Sequence, residues 1–150
     1  MHRFLPPPVV LVLTGLAMWL LTRLAPATTV TIPAAQWFAL LVAIVALVIM
    51  ALAAWEFRRH RTTINPMRPE DSSALVSTGV FRYSRNPIYL ADALLLAAWG
   101  VYLGNIAAAL LIPGFIWLIH HFQIRPEERA LEARFGETYR EYTRAVRRWI

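Results

Sequence analysis

Residues 75–91 read LVSTGVFRYSRNPIYLA, and they lie between two long apolar blocks. This is the densest patch of Gly, Pro, Arg, Asn and aromatic residues in an otherwise greasy chain. Within it, Arg85-Asn86-Pro87-x-Tyr89 combines a fixed charge, an amide, a helix start and a phenol. Proline is favoured at the first position of a helix. The N–H groups exposed there attract anions. An arginine beside them offers a bidentate partner for carboxylate or phosphate. The Asn86 amide suits an adenine or ribose edge. A plainer reading also stands: Arg82 and Arg85 reach headgroups while Asn86-Pro87 caps a helix. Both readings place the stretch where a bilayer meets water.

The flanking sequence supports that position. The chain has 150 residues, 58% hydrophobic and 16% charged. A soluble domain is typically about half apolar and a quarter charged. Residues 36–57 form the clearest span, uncharged from Trp37 to Trp55. They are long enough to cross a ~30 Å hydrocarbon core. Tryptophans at both ends suit the membrane interfaces. Residues 9–24 form an earlier apolar run; Ala25-Pro26-Ala27 imitates a cleavage site, but the run is long for a signal peptide, and we read it as a retained span. Residues 88–103 and 106–122 make a hairpin across the Gly104-Asn105 turn, with Pro113-Gly114 as its expected kink. Each arm is slightly short for a span, which implies local thinning or tight packing.

These readings predict an all-α integral membrane protein in one domain. It has about four transmembrane helices, a loop over 58–87 and a C-terminal amphipathic helix over 125–149. All 15 basic residues are arginine, and the net charge is +6. With the N-terminus inside, every arginine except Arg23 falls on one side, and the opposite loops carry no charge. The positive-inside bias therefore puts both termini in the cytoplasm, as in a multi-pass protein of the cell membrane. Arginines flanking apolar spans set topology, so no nucleic-acid partner is expected.

The tail differs from the spans. Pro126, Glu127 and Glu128 make a good helix start, with acids at the positive dipole end. Leu131, Phe135, Tyr139, Tyr142, Val146 and Trp149 follow as one stripe at helical spacing. Glu137 with Arg140, and Glu141 with Arg144, are i,i+3 pairs on the wet side. Such a helix could simply lie on the membrane. Glu127 and Glu128 could face a cation or accept from ribose hydroxyls, or they could serve only the dipole. Asp92 lies inside a span, where a carboxyl usually faces a partner or cavity; Arg85 and Arg125 are its candidates. The chain has no cysteine, and His120 and His121 find no further ligands at metal-site spacing. No Ser-His-Asp set or phosphate-cradling Gly loop appears.

The ordered motifs resemble the isoprenylcysteine carboxyl methyltransferases and their relatives among the phospholipid methyltransferases. The matching residues are Leu75-Val76-x-x-Gly79-Val80-Phe81, Arg85-Asn86-Pro87-x-Tyr89, and Glu127-Glu128-x-x-Leu131-x-x-x-Phe135-Gly136-x-x-Tyr139-x-x-Tyr142, with Thr63-x-x-Pro66 upstream. The resemblance implies a membrane enzyme that uses S-adenosyl-L-methionine. It implies a cofactor site of Leu75, Val76, Phe81, Asn86, Pro87, Ile88, Tyr89 and Glu127, with Glu128 adjacent. Arg85, Gln123 and Arg125 are the candidates for positioning a substrate. The implied acceptor is a carboxylate of the isoprenylcysteine kind or another lipophilic group. Phospholipid or amine N-methylation, a nicotinamide-dependent reductase on a related scaffold, and a non-catalytic membrane protein are the alternatives. Phe81 stands where the family usually has Tyr, Asn86 where His is commoner and Ala91 where Gly is frequent. Gln123 falls near a substrate-facing Arg of the eukaryotic enzymes.

Overall fold

The computed structural model describes residues 5–60 and 75–150. The Thr63-x-x-Pro66 motif and residues 61–74 of the 58–87 loop lie outside the described residues. The rest is helical: α1 (Pro7–Leu24), α2 (Ala35–Arg59), α3 (Pro87–Leu103), α4 (Ile106–Ala109), α5 (Leu111–Ile119), α6 (Arg125–Phe135) and α7 (Glu137–Ala145). Three helices are long and apolar enough to cross a membrane: α1, α2 and the continuous run Ile106–Phe135. With 17 residues, α3 is the short member.

The short helix is held by close packing. Ala39, Ala46 and Ala53 are buried along one side of α2 at a spacing of seven. Ala91 and Ala98 are buried at the same spacing on α3. Small residues let membrane helices approach closely, and α2 with α3 forms the most extensive helix–helix interface. The other side of α3 carries Tyr89 and Leu96 into a core with Val10 and Met18 of α1 and Phe115 and Ile119 of α5. The Trp99 indole N–H donates to the Gly15 carbonyl at 3.0 Å and ties α3 to α1.

The end of the bundle remote from residues 75–86 is clamped by Asn105. Its amide donates to the Ala25 carbonyl at 3.0 Å and to the Thr29 hydroxyl at 3.1 Å. Its Oδ1 accepts from the Ala108 N–H and the Thr28 hydroxyl. That end is knotted shut by its own side chains, while the polar segments gather at the other.

Two features differ from the expected outline. The break in the second hairpin arm falls at Leu110, between α4 and α5, three residues before Pro113. Proline has no N–H for the preceding turn and crowds its carbonyl, so the helix gives way upstream. The tail is also not one helix over 125–149. It grows straight out of the hairpin arm through a π-type turn at His120–Ile124. Gly136 then breaks it, at φ 54 and ψ −123, a conformation essentially closed to residues with a side chain. Beyond Ala145 the chain turns extended at Val146, and this short strap has work at the site.

Candidate functional site

The first wall is the loop 75–86. Val76 and Phe81 pack with Ala53, Phe57, Val80 and Ile88, and the Phe81 ring meets Phe57 edge-on at 5.2 Å. Phe81 therefore stands in an apolar cluster at the end of α2, which asks nothing of a phenol. Leu75, the first residue described beyond the gap, is half-buried. The approach is set by Glu56, buried at the end of α2. The Thr78 hydroxyl donates to Glu56 Oε2 at 2.5 Å and lies 2.9 Å from His60 Nε2. Gly79 follows at φ 58, where a Cβ would meet Glu56 Oε1 at 2.5 Å. Only glycine fits both that backbone and that contact.

The second wall is the tail, fastened to the loop by a dense set of bonds. Arg85 donates from Nη1 to the carbonyls of Thr143 (3.1 Å) and Val146 (3.0 Å), and from Nη2 to Glu128 Oε1 (2.9 Å). Arg148 grips both oxygens of Glu128, at 2.9 and 2.7 Å. The Arg85 N–H donates to the Arg147 carbonyl, and the Asn86 amide to the Arg148 carbonyl, each at 3.0 Å. The Tyr142 hydroxyl donates to the Phe81 carbonyl at 2.7 Å. The tail stripe turns inward to make these contacts: Tyr139 is buried, and Leu131, Phe135, Tyr142, Val146 and Trp149 are half-buried. On its wet side Arg140 pairs with Glu137 at 2.8 Å, and Arg144 reaches Glu137 at 3.2 Å instead of Glu141. These exposed pairs contribute little.

The two walls meet at Tyr89 and Glu127. The Tyr89 hydroxyl donates to Glu127 Oε1 at 2.5 Å, joining residues 38 apart in sequence. Pro87 and Asn86 are buried beside the start of α3. The adjacent acids have opposite electrostatics. Burial pushes the half-buried Glu127 carboxyl up to about 8, although the Tyr89 hydroxyl pulls the other way. Burial would raise Glu128 as well, but bonds from Arg148 and Arg85 outweigh it and hold that carboxyl low. Glu128 is thus a fixed structural anion. Glu127 keeps its proton to a higher pH than its neighbour.

Of the substrate candidates, Arg85 and Arg125 line one polar basin and Gln123 does not. Arg85 is consumed by the tail. Gln123, buried in the π-type turn, donates its amide to the Leu5 carbonyl at 2.9 Å and holds down the start of the chain. Arg125 is exposed on the rim of a polar basin of about 530 Å³, together with His121, Arg129 and Arg148. Asp92 pairs with neither Arg85 nor Arg125; it is buried in α3 without an ion pair or hydrogen bond among the described residues. Sequence reasoning missed Thr78, Glu56 and Arg148. Of these, Glu56 carried a signal, because it continues the buried side of α2 three residues beyond Ala53.

With the two walls joined at Glu127, the comparisons become decisive. The family model described as phospholipid methyltransferase matches residues 34–138, more than two-thirds of the chain. The chain belongs to the phospholipid methyltransferase family. The match includes α2, the loop, the hairpin and the tail through Tyr139's neighbour, so every residue of the Tyr89–Glu127 junction lies inside it. The chain is also similar to an uncharacterized protein of Haemophilus influenzae strain Rd, 48% identical over 63 residues, which is 42% of this chain and 100% of the relative. No solved structure matches.

Proposed function

We propose that this protein is an S-adenosylmethionine-dependent methyltransferase of the membrane. It acts on a lipophilic acceptor, and its site and both termini lie on the cytoplasmic side. The observation that carries the reading is the Tyr89–Glu127 contact, which brings two distant motifs into direct hydrogen-bond contact. Membership of a methyltransferase family and three membrane-length helices support it.

The residues present suit the cofactor. It is a sulfonium cation with ribose hydroxyls and an amino-acid end, and its chemistry is to present an activated methyl carbon. Glu127 supplies a protein-enclosed carboxyl, Tyr89 a hydroxyl and an aromatic face, and α3 a proline-led N-terminus beside Asn86. A cation gains from aromatic faces and from a carboxylate. Val76, Phe81 and Ile88 exclude water from the α2 side. Glu128, Arg85 and Arg148 hold the tail closed over the loop. The protein's contribution to rate is then mainly alignment in a dry site. The apolar groove between α1 and α3 opens sideways toward the bilayer, whereas the polar basin opens at the end of the bundle. That division suits a lipophilic acceptor and a polar donor.

The test is to incubate membranes containing the protein with radiolabelled methyl donor and to identify the labelled species. Label in a lipid-soluble small molecule, absent with a Glu127→Ala variant, is the expected result. No label beyond that of control membranes overturns the proposal.

A further inference from the structure

The polar basin at the end of the bundle carries a charge that the donor wall does not explain. Arg85, Arg125, Arg129 and Arg148 line it against Glu128 and Glu132. Glu128 is already answered by both Arg85 and Arg148, and Glu132 lies 3.5 Å from Arg140. Arg125 and Arg129 make no ion pair among the described residues. An excess of cations is the wrong sign for a sulfonium, so these arginines serve something else. Helical spacing also sets them apart from the donor wall. Arg125, Glu128, Arg129 and Glu132 fall at steps of three, one and three on α6, which is one face. Glu127 stands two residues from both Arg125 and Arg129, about 200° round the helix, and meets Tyr89 of α3.

The basin also has donors without acceptors. Tyr139 is 3% exposed and lines the basin, yet its hydroxyl makes no hydrogen bond among the described residues. Arg148 binds Glu128 through Nε and Nη2, which leaves Nη1 over. Two whole guanidinium groups, a phenol and part of a third guanidinium thus border one volume of about 530 Å³. A carboxylate has two oxygens in a plane, and the basin already holds one in Glu128. A phosphate group offers three or four oxygens in a tetrahedron and takes guanidinium forks bidentately. The donors come from three segments: Arg125 and Arg129 from α6, Tyr139 from α7, and Arg148 from the strap beyond Ala145. Gly136 breaks the chain between the first two. A ligand held by all three ties the strap to α6.

We propose that the basin is a regulatory phosphate site, whose occupant bridges Arg125 and Arg129 to Tyr139 and Arg148 and locks the tail over the loop. This holds whether or not the protein transfers methyl groups. The phosphate belongs to a free solute or to a lipid head. In neither case is it the methyl acceptor, because it sits on the face of α6 turned away from Glu127. His121, which borders the basin, packs on the exposed Trp117 one turn earlier, with ring centroids 4.6 Å apart. The basin's near edge therefore adjoins the membrane-length part of that helix, and both sources reach it. A ligand that binds only the closed tail lowers the opened population by a factor of one plus its concentration over Kd.

The experiment uses the full chain in maltoside detergent, which carries no phosphate. Inorganic phosphate is the probe, and acetate at equal ionic strength is the control. Calorimetry is expected to show saturable binding of phosphate and none of acetate. At ten times the Kd, amide exchange at residues 142–148 is expected to slow about tenfold. Arg125→Gln combined with Arg129→Gln is expected to weaken phosphate binding at least about tenfold, and Tyr139→Phe about threefold, with helical circular dichroism unchanged. Glu132→Gln removes an acid from the same rim and is expected to tighten binding about two- to fivefold, which damage to the fold would not do. A second arm compares exchange in nanodiscs of phosphatidylglycerol and of an uncharged glycolipid. Slower exchange in the first alone, with no response to inorganic phosphate, assigns the phosphate to a lipid head, and the same variants are then read by exchange in those nanodiscs. No phosphate binding and no difference between the nanodiscs overturns the proposal. An equal response to acetate, an undiminished response in the double arginine variant, or a weaker one in Glu132→Gln overturns it too.

Discussion

Replacing Arg85 by methionine keeps most of the side chain's volume and removes its charge. Three bonds disappear: those to the Thr143 and Val146 carbonyls and the one to Glu128. The Arg85 and Glu128 side chains are only 12% and 17% exposed, so water replaces those bonds poorly. Removing one partner of a buried pair typically costs about 3–5 kcal/mol. Two terms reduce this. Glu128 keeps both bonds from Arg148. The Arg85 Nε, buried without a partner, no longer incurs its desolvation penalty of about 1–3 kcal/mol. At mid-range a net loss of about 2 kcal/mol remains, concentrated on the strap after Ala145. At about 1.4 kcal/mol per factor of ten, the strap opens roughly 30-fold more often. Amide exchange at residues 142–148 measures this in detergent, because exchange follows the population of the opened state. Arg148→Ala should do less, because the bonds from Asn86 and from the Arg85 N–H go to main-chain carbonyls that survive it. Unchanged protection in Arg85→Met, or a larger effect from Arg148→Ala, refutes the latch.

Two further outcomes follow from the site. Glu127 binds its proton more tightly in the folded protein than a free glutamate does, up to about pH 8. A cationic donor favours the ionised form, so affinity for S-adenosylmethionine should climb by up to about tenfold per pH unit below 8 and flatten above it. S-adenosylhomocysteine, lacking the sulfonium charge, should show a shallower rise, and Glu127→Gln should flatten the donor's own curve; calorimetry across pH 6–9 checks all three. Gly79→Ala drives a Cβ into Glu56 and strains the backbone, at about 2–3 kcal/mol by the usual cost of such positions. It should displace the loop and lower donor affinity about tenfold or more, whereas a variant that binds the donor normally contradicts the placement of the loop by Glu56.

The apolar spans and the loop motif were legible because each is local. A helix displays its pattern within a few turns. The division of labour between Glu127 and Glu128 was not legible, since neighbours in sequence point to different partners on a helix. Arg85 read as a substrate anchor because its charge is visible and its three acceptors, 43 to 61 residues away, are not. The tail stripe was correctly spaced for a helix, yet spacing cannot say whether an apolar face meets lipid or its own chain. Gly136 gave the break its signal, and the strap beyond Ala145 gave none, because its contacts are made by main-chain carbonyls.

The measurement that bears most directly on the central claim is calorimetric titration of the purified, folded protein with S-adenosylmethionine, beside Glu127→Ala. The expected result is saturable one-to-one binding by the wild type, lost in the variant while its helical circular dichroism is unchanged. Absence of binding by the folded wild type, or equal binding by the variant, contradicts the assignment of residues 75–91 and the tail as the two walls of a methyl-donor site.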